Sequence, residues 1–296
     1  MESAINNSIL ALTGIELESP SLPETVAFYV NLFGLDVERS EPASVSLKGA
    51  GRPVRQVTFF AGAHARLRGL VFKMHPSADL QSVAAGLRAR RVPVETLSDD
   101  TLQIKDPDGT AISLNRGGSA DTADAVDANQ AGERPLFLSH VVINSPQPDK
   151  LVSFYVSALG FQISDKYEKG LLTFLRCAQP QHHCVGISPA SYSGLNHFAM
   201  DCGSIDGVMT GVGRMKGAGI EPVWGPGRHR PGGNIFCYFE DPNGFVAEFT
   251  SNLLSIPAGE LWVAREWSRT PENGNVWGTG GPTPRAVKLM SDNPPR

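Results

Sequence analysis

The sequence contains an internal repeat, and this repeat limits the possible folds more than any other feature. Residues 12–36 (LTGIELESPSLPETVAFYVNLFGLD) and 138–162 (LSHVVINSPQPDKLVSFYVSALGFQ) each begin with a strand-like run, pass through Ser-Pro and continue into a helical run. Pro and an acidic residue lie in the first helical turn of both copies, and Gly34 or Gly160 follows the helix as a stop signal. Two domains of common ancestry are therefore predicted.

Each repeat divides again into two smaller modules. A second strand-like opening in each half precedes a helical run near residues 79–91 or 205–219, and each half closes on Asp-Pro-x-Gly followed by a strand-like run. Asp-Pro and Asn-Gly are turn dipeptides, so the last two strands of the second half should form a hairpin. The chain is thus predicted to hold four strand-helix-strands modules, which open at Leu12, Leu67, Leu138 and Leu195. Paired modules can curl their sheets around a concave pocket, where a site could lie.

Length and charge limit the class of protein. A chain of 296 residues is longer than one average domain, and its net charge of -4 gives no basic surface for nucleic acid. No apolar run approaches the roughly 18 residues needed to cross a bilayer. The first ten residues lack the basic segment of a secretory signal, so we expect a cytoplasmic protein without a membrane partner. The four scattered cysteines are expected to be free structural thiols.

The repeat predicts the domain boundaries. We expect an N-terminal domain without a metal site, a linker rich in Gly, Ala and Asp, a C-terminal catalytic domain, and an irregular tail that packs on the core with its tryptophans buried. The corresponding ranges are 1–115, 116–136, 137–255 and 256–296.

At three matched positions, the second half carries a side chain that can bind metal and the first half does not. His140 and His197 occupy the same place in the openings of the third and fourth modules, where the first and second modules carry glycine. Glu248 lies in the last strand of the second half, where the first half carries Ser113. A lone His in an apolar strand is usually a core residue. Two symmetry-matched His and one matched carboxylate together favour a metal site.

The composition of this set indicates a type of metal. Two His and one carboxylate leave several coordination positions open, which is typical of non-haem Fe(II) sites that use oxygen. A structural zinc site would instead be closed by four protein ligands, usually including thiolates. The set therefore predicts Fe(II), and Mn(II) is also possible because it accepts the same ligands.

The four-module layout with His140, His197 and Glu248 resembles the type I extradiol ring-cleaving dioxygenases of the vicinal oxygen chelate superfamily, over about residues 8 to 255. The family's C-terminal signature is matched by His229, Tyr238, the Asp-Pro-Asn-Gly turn and Glu248. The resemblance implies an α+β fold, in which four βαβββ modules form two homologous domains and the C-terminal domain is catalytic. It also implies meta-cleavage of a catecholic ring with O2, in aromatic catabolism, by a homo-oligomer.

The resemblance assigns roles to three further residues. His183 looks like the histidine that transfers protons without binding metal, although the adjacent His182 could take that role. A histidine that titrates near neutrality would suit this task. His229 and Tyr238 look like hydrogen-bonding groups around the bound substrate.

Two alternative functions stay open. One is a metal-dependent isomerase, lyase or thiol transferase of the same superfamily, related to glyoxalase. Such enzymes normally use a fourth protein ligand, commonly a carboxylate, at a position that looks like that of His183. The other is a non-catalytic binding protein on the same scaffold, but such proteins lose the ligands in both domains.

Overall fold

The computed structural model describes residues 8–51, 55–116, 134–257 and 259–291. The first half forms one eight-stranded sheet with the strand order β2-β3-β4-β1-β5-β8-β7-β6. Its strands are β1 (Ile9–Ser19), β2 (Asp36–Glu41), β3 (Ser44–Lys48), β4 (Gln56–Ala61), β5 (Arg66–Met74), β6 (Glu95–Ser98), β7 (Thr101–Lys105) and β8 (Ala111–Arg116). Most of the predicted linker, residues 117–133, and the first seven residues lie outside the described residues.

The second half forms a nine-stranded sheet with the order β14-β15-β16-β13-β9-β12-β11-β10-β17. Apart from β17, this order repeats that of the first sheet. Its strands are β9 (Phe137–Ser145), β10 (Gln162–Tyr167), β11 (Thr173–Arg176), β12 (Val185–Pro189), β13 (Gly194–Asp201), β14 (Trp224–Arg228), β15 (Ile235–Glu240), β16 (Val246–Ser251) and β17 (Arg265–Trp267). The predicted hairpin is formed by β15 and β16, which pair antiparallel around the Asp-Pro-Asn-Gly turn.

One helix follows the opening strand of each module. The helices are α1 (Leu22–Ala27), α2 (Leu80–Ala89), α3 (Pro148–Ser157) and α4 (Ile205–Gly217). The first differs from the single helix expected from sequence, because α1 continues as a π-helical segment, Phe28–Phe33. Gly34 ends it with φ of 95°, and its N–H donates to the carbonyl of Tyr29, five residues earlier. The α+β fold of four βαβββ modules is confirmed.

The strand register reproduces the correspondences predicted between the two halves. His140 pairs with Ala199, and Ala199 pairs with Glu248. In the first sheet Gly14 pairs with Val71, and Val71 pairs with Ser113. Each metal-capable residue therefore occupies the same place in its sheet as its non-ligating counterpart in the other half.

The helix of the first module packs on the second sheet. The ring of Phe33 stacks on that of Phe249, with 4.1 Å between centroids. Because side chains alternate along a strand, Phe249 points to the face opposite Glu248. The Tyr29 hydroxyl also donates to the buried Asp241 carboxylate over 3.0 Å. The first half thus supports β16 from behind and leaves the face that carries Glu248 clear.

The C-terminal tail is more ordered than the sequence predicts. Besides β17, which pairs parallel with β10, it contains the helices α5 (Pro271–Gly274) and α6 (Pro284–Ser291). The expected burial of its tryptophans is wrong for Trp277, which is 40% exposed. Trp262 and Trp267 are half-buried, and their indole N–H groups donate to the Ser164 carbonyl and the Asp165 carboxylate.

Two other expectations can be compared with the structure. All four cysteines are free thiols, as predicted. In the part of the chain that the structure describes, no helix has the length and apolar character needed to cross a bilayer.

Candidate metal centre

The three predicted metal ligands lie in one row on one face of the second sheet. His140 on β9, Ala199 on β13 and Glu248 on β16 are directly paired across neighbouring strands, so their side chains share a face. His197 lies on β13 two residues before Ala199 and therefore also points to this face. Tyr238 on β15 is paired with Glu248 and continues the row. The small side chain of Ala199 leaves space between the larger ones.

The ligand atoms converge. Glu248 Oε2 lies 3.2 Å from Nε2 of His140 and 3.4 Å from Nε2 of His197. One ligand atom from each of the three residues lies within 4.8 Å of the other two. All three side chains are buried, yet within the described residues Glu248 Oε2 has no aligned hydrogen-bond donor. An unsatisfied buried carboxylate oxygen is costly, and a divalent cation would satisfy it. The donor set therefore fits a metal ion.

Neighbouring residues form hydrogen bonds with the remaining polar atoms of the proposed ligands. The sequence did not indicate these neighbours. Asn196 uses its Nδ2 to donate to the carbonyl of Met290 in α6, so its Oδ1 is free to accept. That oxygen lies 2.8 Å from Nδ1 of His197, which must therefore carry the proton. Nε2 of His197 then keeps a lone pair for a metal, as in other metal sites where histidine is oriented by a second partner. Asn234 holds the other oxygen of Glu248, Oε1, over 3.2 Å.

Burial keeps His197 and His183 neutral. It lowers the pKa of His197 to about 3, although the Glu248 carboxylate opposes this shift. Burial, and then the neighbouring histidines, lower the pKa of His183 well below its ordinary value. The expectation that His183 titrates near neutrality is therefore wrong. At neutral pH its imidazole has a lone pair available to accept a proton.

The structure distinguishes His183 from His182. The His183 ring lies against that of His140 at a centroid distance of 4.5 Å, beside the converging ligand atoms, but none of its nitrogens joins them. His182 is fully buried on the far side, with Nε2 3.2 Å from Asp165 Oδ2. His183, and not His182, is therefore in reach of a molecule bound at the centre.

His229 and Tyr238 are hydrogen-bonded to each other at the other side of the centre. His229 Nδ1 lies 2.7 Å from the carbonyl of Gly274 in α5, and a carbonyl can only accept. His229 Nε2 is then the acceptor of the Tyr238 hydroxyl, 2.9 Å away. Burial and the nearby Glu248 carboxylate raise the pKa of Tyr238 well above its ordinary value. The Tyr238 ring lies 5.1 Å from that of His197, so both residues adjoin the predicted ligands.

At the matching position in the first half, a ligand side chain in place of Gly14 would be crowded. A cleft of about 510 Å³ remains there, lined by residues that include Gly14 and Val71. A Cβ atom added at Gly14 would lie 3.1 Å from Cβ of Val71, which is tighter than ordinary contact. Within the described residues, His140, His197 and Glu248 are the one group of His, Cys, Asp or Glu that could hold a metal ion.

Ala199 provides a test of this difference. We expect Ala199→Val, which copies the counterpart Val71, to weaken metal binding roughly 10-fold or more, because added methyl groups enter the space between His140 and Glu248. Chelator competition measures the affinity, and circular dichroism checks the fold. The reciprocal variant Val71→Ala should leave metal affinity unchanged. Unaltered affinity in Ala199→Val would contradict the role given to this small side chain.

Comparisons with known proteins agree with this geometry. A family model of the Glyoxalase/Bleomycin resistance protein/Dioxygenase superfamily matches residues 137–249. Metapyrocatechase 2 of Cupriavidus necator is 28% identical over 271 residues, covering 85% of this chain and 84% of that protein. An iron-dependent extradiol dioxygenase of Rhodococcus jostii is 24% identical and covers 92% of this chain and 97% of that protein.

A solved structure shares the fold over almost the whole chain. The Mn(II)-bound glyoxalase from Novosphingobium aromaticivorans superposes with a TM-score of 0.82 and 26% identity, covering 94% of both chains. Since the same scaffold carries glyoxalases and dioxygenases, the fold alone does not distinguish these activities. The long matches are to dioxygenase sequences: residues 137–249 belong to the glyoxalase/bleomycin resistance protein/dioxygenase superfamily, and most of the chain is similar to its extradiol dioxygenases.

Proposed function

We propose that this protein is a non-haem Fe(II)-dependent extradiol dioxygenase, which uses O2 to cleave a catecholic ring beside its two hydroxyl groups. The observation that carries the proposal is the convergence of His140, His197 and the unpartnered oxygen of Glu248 on one buried point. The names of the Cupriavidus and Rhodococcus relatives support the same activity. We assign catalysis to the predicted C-terminal domain, 137–255, and a supporting role to the predicted N-terminal domain, 1–115.

The ligand set suits a substrate with two adjacent oxygens. His140, His197 and Glu248 would hold the metal and leave adjacent positions for other ligands. When bound, Fe(II) supplies a chelation site for the diol and an electron path between the diol and O2. The fully buried Glu248 contributes the one negative charge of the three proposed ligands, and the two imidazoles favour a transition metal over a hard cation such as Mg²⁺.

Three further side chains act on the substrate itself. His183 has a neutral imidazole beside His140 and is placed to take a proton from a substrate hydroxyl group and later return it. Tyr238 stays protonated because its pKa is raised, and since its one hydroxyl hydrogen is donated to His229, its oxygen is left to accept from a substrate hydroxyl group. His229, fixed by the Gly274 carbonyl, accepts from Tyr238 and holds that hydroxyl in place.

Iron is the metal that we propose. The Rhodococcus relative is named an iron-dependent enzyme, whereas the Novosphingobium structure is Mn(II)-bound. Two neutral imidazoles and a carboxylate accept either ion, and oxygen chemistry on a diol needs a metal that passes electrons readily. We also propose that the protein works as a homo-oligomer, as the family resemblance implies.

A glyoxalase-like activity is the second candidate, because of the 26% identity to the Mn(II)-bound glyoxalase. Enzymes of that kind are expected to use a fourth protein ligand near the position of His183. In the part of the chain described here the converging group has three members and excludes His183. This difference favours the dioxygenase.

An oxygen-uptake screen tests the proposal. Protein reduced and loaded with Fe(II) under anaerobic conditions is mixed with aerated catechols of increasing ring size. We expect about one iron per chain, one O2 consumed per diol, and yellow ring-opened products. Protein treated with a chelator is the control and should consume no oxygen. Binding of diols without turnover would favour a non-catalytic protein, and oxygen-independent conversion of an α-ketoaldehyde–thiol adduct would favour the glyoxalase-like alternative.

A further inference from the structure

A chain of three buried polar side chains leads away from the centre behind His183. Nδ1 of His183 lies 3.0 Å from Nδ1 of the adjacent His182. Nε2 of His182 lies 3.2 Å from Oδ2 of Asp165 on β10. The three residues are at most 2% exposed. The ring of Phe174 lies against both imidazoles, and that of Trp262 lies against His182.

The direction of these contacts follows from the carboxylate at their far end. Asp165 Oδ1 accepts the backbone N–H of Arg265 over 2.8 Å, and Oδ2 accepts the indole N–H of Trp267 over 2.8 Å. Burial alone would raise the pKa of Asp165, but these donors and His182 together hold it below its ordinary value. Asp165 is therefore a carboxylate and can only accept. Within the described residues His182 Nε2 has no other polar atom in reach, although its 3.2 Å contact is not aligned as a regular hydrogen bond.

The contact with Asp165 favours one tautomer for each histidine. When His182 carries a single ring proton, on Nε2 toward Asp165, it offers the lone pair of Nδ1 as an acceptor. The only donor in contact with that lone pair within the described residues is Nδ1 of His183, which must carry the proton. Nε2 of His183 is consequently the nitrogen with the lone pair. Within the described residues this atom makes no hydrogen bond, so it is free for a bound molecule.

We propose that Asp165 and His182 are positioning residues that fix His183 in the tautomer with a bare Nε2, and that they form a path for positive charge away from the metal centre. The catalytic part of this inference rests on the proposed function. When a substrate hydroxyl group gives its proton to Nε2 of His183, the proton on Nδ1 of His183 can pass to Nδ1 of His182. One proton enters and one moves on, and the resulting imidazolium on His182 lies beside the Asp165 carboxylate. The reverse transfers return the proton to the product.

The path depends on the C-terminal tail. Two of the donors that hold Asp165, the backbone of Arg265 and the indole of Trp267, belong to β17. That strand pairs in parallel with β10, the strand that carries Asp165 itself. The tail thus acts on His183 through its hydrogen bonds to Asp165, which lie away from any bound substrate.

Nitrogen NMR of the imidazoles tests the inference without turnover. The chain has seven histidines, so selective 15N-histidine labelling of the full-length zinc-loaded protein gives a spectrum that single His→Asn variants can assign. We expect a proton on Nε2 of His182 and on Nδ1 of His183. Asp165→Asn should move a substantial fraction of His183 to the Nε2–H tautomer, because an amide cannot accept from all three donors of the carboxylate. The exposed Asp149→Asn is the matched control and should change neither tautomer.

Kinetics of the iron-loaded enzyme provide the second readout. We expect Asp165→Asn to lower kcat roughly 10-fold or more, with KM and iron content unchanged. Trp267→Phe, which removes one donor to Asp165, should have a smaller effect in the same direction and remains informative if Asp165→Asn misfolds. A wild-type spectrum with Nε2–H on His183, or with a doubly protonated His182, would overturn the inference, as would unchanged tautomers in a folded Asp165→Asn. If the tautomers are as expected but the protein cleaves no diol, the proposed function is wrong and the tautomer assignment stands.

Discussion

Glu248→Gln should reduce the iron content from about one per chain to nearly none and abolish oxygen uptake, a loss of roughly two orders of magnitude or more. Glu248 supplies the only negative charge among the three proposed ligands, and its Oε2 lies 3.2 and 3.4 Å from the two histidine nitrogens. The amide of Gln keeps the size of the side chain but presents a neutral and much weaker ligand. Iron content after desalting, measured with a colorimetric chelator, and oxygen-electrode traces check both effects.

Glu240 offers a matched control in the same hairpin. It lies at the end of β15, where it forms a salt bridge with Arg285 at the protein surface. Glu240→Gln should keep iron and activity, since exposed salt bridges contribute little and the residue is remote from the converging atoms. If Glu248→Gln kept full iron and full activity, the assignment of the ligands would be wrong. Full iron with no activity would make Glu248 a catalytic group that does not bind the metal.

His183→Ala should leave the iron content unchanged and lower kcat by roughly 10²–10⁴-fold, the usual contribution of a general acid–base residue. His183 lies against the His140 ring, but its nitrogens do not belong to the group of converging ligand atoms. Its neutral imidazole lies against a proposed ligand and has no ligand role of its own. Single-turnover mixing of the anaerobic enzyme–diol complex with O2 separates the chemical steps from product release.

The iron content of this variant decides between the two candidate functions. Loss of iron would make His183 a fourth ligand and revive the glyoxalase-like alternative. His64, which lies in the loop between β4 and β5 in the first half, is a suitable control. His64→Ala should change neither iron content nor turnover because His64 lies in the first half and outside the group of converging ligand atoms. Full turnover in His183→Ala would remove this residue from the proposed mechanism.

The fold and the ligand set could be predicted because both follow from the repeat. Pairing His140 with Gly14 and Glu248 with Ser113 required only the alignment of one half on the other, and the strand register reproduces these correspondences. The alternation of side chains along a strand also places Glu248 and its neighbour Phe249 on opposite faces from sequence alone. The sequence did not suggest a role for Ala199, although its counterpart Val71 was visible in the same alignment.

The partners that orient the ligands could not be predicted, since they come from residues distant in sequence. Asp165 is one acidic residue among many on a strand with no distinctive pattern, and only the fold brings it to His182. Asn196 precedes His197 directly, but its role depends on the Met290 carbonyl, which is 94 residues away in the chain. The tail belongs to no repeat, so nothing in the first half indicated its hydrogen bonds or helices.

The position of the tail in the chain has a consequence for biosynthesis. The ribosome produces all three proposed metal ligands by residue 248, whereas the groups that orient the histidines are made later. These are the β17 donors to Asp165, the Gly274 carbonyl for His229 and the Met290 carbonyl for Asn196. A chain shortened after Ser255 would therefore carry every proposed ligand but lack these three groups. We expect such a chain to keep the donor set and to lose the alignment of its imidazoles.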